Sequence, residues 1–164
     1  MTGKKLPAFI GLLICCAQLC AQIDLSAWPA EQLKLAKESS QKAGAAANES
    51  DVIFYTNLAR INGPVFVKLI LMPYVEHNKV KKNNALQSLV TTLNSLPSLK
   101  PLEAEQILMG KARGYAQWAG KRGIEGHARF NQRLKALAKT RGWVGENCDY
   151  GNDDPLDIVI DLLI

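Results

Sequence analysis

Two side chains in this sequence could do chemistry together. His127 follows Gly126, and Glu146 sits in the triplet Gly145-Glu146-Asn147. An imidazole and a carboxylate on opposing loops can move protons as a general acid and base, or hold a cation. A divalent cation such as zinc needs more: three protein ligands at a catalytic site and four at a structural one, and His127 and Glu146 supply two. Cys148 is close to Glu146 in sequence, but side chains at i and i+2 need not converge. The bland readings stand beside these. Gly145 permits a tight turn, Glu146 can accept backbone N–H groups, and Asn147 can bond its own loop. His127 can be a loop histidine bonded to a carbonyl. The other histidine, His77 in YVEHNK, reads as surface. Trp118 and Trp143 read as core or cleft-wall aromatics. No nucleophile elbow, phosphate loop, Cys-x-x-Cys or His-Glu-x-x-His pattern occurs, which removes the enzyme classes most visible in sequence.

The elements that must position these groups lie in a chain of 164 residues, the size of one domain. Residues 1–21, MTGKKLPAFIGLLICCAQLCA, have the layout of a secretory signal: Lys4 and Lys5, an apolar stretch, then a cut after Ala21 or Ala17. The expected protein is therefore secreted, extracellular or periplasmic, with no stable membrane span once the signal is removed. Loss of Lys4 and Lys5 lowers the formal charge from +5 to +3, too small an excess to argue for nucleic acid. The dense basic run, Lys79 to Lys82, reads as a solvated loop. Three of the four cysteines fall in the signal, leaving Cys148 without an internal disulfide partner and expected in the interior.

Residues 22–49 read as a loosely attached helical or linker segment, and 50–164 as the folded part. Ser50 is the expected cap of a helix from Asp51 to about Ile61, stopped by Asn62-Gly63-Pro64. Val65 to Met72 is read as a short helix. Leu86, Leu89, Val90, Leu93 and Leu96 form the stripe of a helix over 84–96. Pro101 is expected to open another, with Glu103 and Glu105 in its first turn and Leu108, Ala112, Tyr115 and Ala119 on its apolar face. Phe130, Leu134, Leu137 and Ala138 mark a further helix closed by Gly142. Asp154-Pro155 starts the last one, LDIVIDLLI, which reads as buried nearly all round. Its end carries no stop signal and looks cut, and convincing strands are absent.

Three stretches share an order that resembles the CAP superfamily (cysteine-rich secretory, antigen 5 and pathogenesis-related proteins), also called SCP-like domains, in its bacterial form. They are DVIFYTNLAR at 51–60 with Asn57 and Arg60, then Gly126-His127 with the following helix, then Gly145-Glu146-Asn147. The resemblance implies an α+β fold, an α-β-α sandwich, of which this chain holds a mostly helical part with the sheet largely missing. It implies a cleft tetrad of two His and two Glu. His127 and Glu146 match half of it, and the other half would lie beyond Ile164. Tyr115 stands where many bacterial members have a His. The expected function is a secreted, non-catalytic binding module for a small apolar ligand such as a lipid, a cation or a protein partner. The alternatives are an inactive fragment and a metal-assisted or peptidase-like hydrolase.

Overall fold

The computed structural model describes residues 23–41 and 45–164, and every regular element among them is helical. The expected signal at 1–21 lies outside the described residues. In chain order the helices are α1 (Ala30–Ser40), α2 (Ala47–Ile61), α3 (Gly63–Phe66), α4 (Met72–His77), α5 (Asn84–Ser95), α6 (Gln106–Gly120), α7 (Phe130–Arg141) and α8 (Pro155–Leu163). A π turn, Val67–Leu71, joins α3 to α4 without leaving helical backbone. Its cause is Pro73. A proline has no N–H for the carbonyl four residues back, here Leu69, and its ring crowds that carbonyl, so the wider turn falls there.

The core is built around α2, which packs against α1, α3 and α8. Leu58, Phe66, Ile70, Leu71 and Ile160 are fully buried in it, with Leu86, Leu89 and Leu93 of α5 closing one side. Each such side chain contributes roughly 1.5–3 kcal/mol by leaving water. At Gly63 the backbone of α3 runs so close to α5 that a Cβ would sit 2.1 Å from the Leu93 carbonyl oxygen. The expected helix over 84–96 is present as α5, with Asn83 accepting the Leu86 N–H at 2.9 Å.

Several expectations are corrected. Segment 22–49 is not loosely attached: Trp28 and Ala36 belong to the main core, and Ser39 and Ser40 are buried. Helix α2 starts at Ala47, not after Ser50, because the Glu49 carboxylate reaches back to the Ala46 N–H at 2.8 Å. Helix α6 starts at Gln106, not at Pro101. The backbone of Leu102 is taken by buried Asn57, which accepts its N–H at 2.6 Å and donates to its C=O at 2.9 Å. Arg60 donates twice to the Lys100 carbonyl beside it. That clamp holds 99–102 extended against α2, so the helical start signals at Pro101 are overridden.

Helix α8 begins as the sequence indicates, with the Asp154 carboxylate accepting the N–H groups of Leu156 and Asp157. It is not buried all round. Leu156, Val159 and Ile160 face the interior, while Leu162 and Ile164 are exposed. Its two acids are both engaged, Asp157 by the Tyr74 hydroxyl at 2.8 Å and Asp161 by the Asn152 amide at 2.9 Å.

Helices α6 and α7 carry the candidate site. They lie outside the main core cluster and bury Tyr115, Ala119 and Leu134. Ion pairs fasten them: Arg113 of α6 to Glu49 of α2, and Arg141 of α7 to Glu105 at the head of α6. No single helix among the described residues is long and apolar enough to cross a membrane.

Candidate functional site

Tyr115 organises the site from below. Its ring is buried in α6, and its hydroxyl donates to the Gly126 carbonyl and accepts from the Ala128 N–H at 3.1 Å. One phenol therefore fixes the backbone on both sides of His127. Gly126 adopts φ +82°, a left-handed conformation that favours glycine, and so lets the loop turn the imidazole outward. The Phe130 N–H then bonds the His127 carbonyl at 3.0 Å and starts α7, with the Phe130 ring edge-on to the imidazole.

The loop after α7 brings Glu146 to the same place. His127 Nδ1 lies 3.0 Å from Glu146 Oε1. Arg133 binds both carboxylate oxygens at 2.7 Å, donates its Nε to the Ala128 carbonyl at 3.1 Å, and lays its guanidinium over the Tyr115 ring at 3.6 Å. The fork of two parallel N–H donors suits a carboxylate as no lysine could. Its hydrogen bonds hold the Glu146 carboxyl below its ordinary value, against a burial that pushes the other way, with His127 adding to the effect. Glu146 is thus a fixed anion, and facing it requires Nδ1 of His127 to carry the proton. The other ring nitrogen, Nε2, is left as the acceptor, on a side chain that is half exposed.

Cys148 joins this cluster. Its Sγ lies 3.5 Å from His127 Nδ1 and 3.7 Å from both Glu146 Oε1 and the Gly126 carbonyl. It is half-buried, not an interior residue. Burial pushes its thiol above the ordinary range, and Glu146 adds to that. Such a thiol is a poor nucleophile. It also meets the same ring nitrogen as Glu146, so it is not placed for deprotonation by Nε2. Tyr150 closes the group with a hydrogen bond to the Gly126 carbonyl at 3.1 Å.

The sequence-read residues divide. His127, Glu146 and Tyr115 come together. Gly145 is held under the indole of Trp143, where a Cβ would meet the ring at 2.6 Å, and Asn147 is exposed. Asn57 and Arg60 clamp the 99–102 segment. Trp143 is no core or cleft-wall residue: it is 83% exposed. Trp118 is half-buried, stacked on Tyr115, with Arg122 and Arg129 over its ring. Arg133 and Cys148 are the members that residue spacing missed. The available signal for Arg133 was an arginine on a helix whose other interior cations are lysines.

His127, Glu146 and Cys148 present three ligand atoms within 4.8 Å of one another, the number a catalytic zinc site uses. The arrangement does not fit a resident cation. Both Glu146 oxygens are already bound by a guanidinium, whose charge would repel the ion, and Cys148 favours its neutral form. No family model, curated protein or solved structure matches the chain.

Proposed function

We propose that the chain is a secreted SCP-like module, related to the α-β-α sandwich family by its Asn57/Arg60, His127 and Gly145-Glu146-Asn147 motifs, and that it binds a ligand without catalysing a reaction. The observation that carries this reading is the double hydrogen bond from Arg133 to Glu146. It makes Glu146 a permanent anion that orients an imidazole, not a proton donor. General acid catalysis by a carboxyl needs a raised value, and here it is lowered. A hydrolytic dyad would also need a nucleophile facing the free imidazole nitrogen. The thiol at hand sits on the opposite nitrogen.

The oriented His127 offers one acceptor at the surface, beside the ring of Phe130. That pairing suits a small apolar molecule carrying a single hydroxyl or amide donor. The test is a titration of the full chain with a fluorescent long-chain alcohol, compared with His127→Ala and His127→Gln. Removing the acceptor should weaken binding about tenfold, the worth of one good hydrogen bond, and the glutamine, which restores an acceptor, should recover part of it. Peptide and ester substrates should show no turnover. Equal affinity in all three proteins, or turnover that disappears in Glu146→Gln, would overturn the reading.

A further inference from the structure

Charge is distributed unevenly along this chain. Residues 106–142, which hold α6 and α7, carry nine Lys and Arg against one carboxylate, Glu125. The formal charge of the whole chain is +5, so everything outside this stretch is net acidic. Three of the nine cations are ion-paired: Arg113, Arg133 and Arg141. On α7, Lys135 and Lys139 are exposed and have no carboxylate within ion-pair distance among the described residues.

Those two lysines stand four apart, one above the other on the same helix face. They border an open groove of about 550 Å³ floored by Leu134, Ala138 and Val144. The residue next to Val144 is Trp143, whose indole is 83% exposed. Cations beside an apolar floor, with an exposed indole at the helix end, are the features of a surface that meets lipid headgroups. We propose that this face of α7 docks on an anionic bilayer. Lys135 and Lys139 contact headgroup phosphates, and Trp143 enters the interfacial layer.

The chemistry favours lipid over nucleic acid. An apolar floor offers no hydrogen bonds to bases. The aromatic that the arginines surround, Trp118, has Arg122 and Arg129 over its ring and Tyr115 stacked on it, so it is not free to stack on a base. The carboxylates after α7 do not cancel the patch as mobile charge: Glu146 is bound to Arg133, Asp157 to Tyr74, and Asp161 to Asn152. The inference is independent of the ligand proposed for His127.

The test uses the full chain with vesicles of phosphatidylcholine alone and of an equimolar phosphatidylcholine–phosphatidylglycerol mixture. The double variant Lys135→Glu/Lys139→Glu is compared with Lys81→Glu/Lys82→Glu, which changes net charge equally at the exposed loop before α5. Circular dichroism checks that both remain folded, and residues 1–22 are common to all proteins. The α7 variant should lose about 30-fold or more in affinity for the anionic vesicles, from about tenfold or less per lysine, and the loop variant much less. Anionic vesicles should shift the emission of the wild type to the blue, and Trp143→Phe should abolish that shift. Equal losses in the two double variants, or no Trp143-dependent shift, would overturn the proposal. So would a short DNA duplex that binds as tightly with the same dependence on Lys135 and Lys139.

Discussion

Replacing Asn57 by alanine should cost about 2–4 kcal/mol, more than its two hydrogen bonds alone. Its amide makes both bonds that Leu102's backbone offers, at 2.6 and 2.9 Å, from a fully buried position in α2. A neutral hydrogen bond is worth about 1 kcal/mol net, so the pair supplies about 2. The truncation also leaves a cavity in α2 and strands a backbone N–H and C=O until water reaches them, which adds up to about 2 more. Arg60 still holds the Lys100 carbonyl, so the segment stays close. Urea unfolding should show a lower midpoint with an unchanged slope, and the melting temperature should fall by about 5–15 °C. Amide exchange at Leu102 should accelerate. Released from the clamp, residues 102–105 should shift toward helix in their NMR chemical shifts, because Pro101 and the two glutamates favour a helix start. A loss under about 1 kcal/mol, or unchanged protection at Leu102, would refute the account of why α6 begins at Gln106.

Two further outcomes follow from the packing and the charges. Gly63→Ala should destabilise the chain by about 3 kcal/mol in the same urea assay, since its Cβ would meet the Leu93 carbonyl oxygen at 2.1 Å and both groups are on backbones that must move. Acid should weaken the fold through Glu146, whose folded-state value lies below its unfolded one: the contribution is whole above about pH 4.5 and is lost as pH falls through the folded value. Glu146→Gln should flatten that acid limb between pH 5 and 3, and an unchanged pH slope would show that the Arg133 pair contributes nothing.

Local signals were readable wherever a helix is set by its own residues. Asp154-Pro155 starts α8, the leucine stripe builds α5, and Gly142 ends α7. Where a distant partner decides, local signals mislead. Pro101 looks like a helix start until Asn57, far back in the chain, takes the backbone of Leu102. Likewise, the all-apolar sequence of α8 says nothing about how much surface α2 can cover. The site was half legible. His127 and Glu146 stood out as chemical types, and the structure brings them to 3.0 Å. Arg133 and Cys148 did not stand out, because convergence across two loops has no signature in spacing. What each does depends on that convergence: Arg133 fixes the charge state of Glu146, and Cys148 shares its nitrogen partner.

The π turn before α4 makes the length of the chain there a structural quantity. Removing one residue from Val67–Leu71 would restore regular winding but rotate everything after it by about 100°. Tyr74 would swing away from Asp157, and Val75 would leave the interior for water. Amino-acid changes that keep this stretch apolar are therefore far better tolerated than any deletion or insertion. The five-residue turn acts as a fixed phase between the two halves of one long helix.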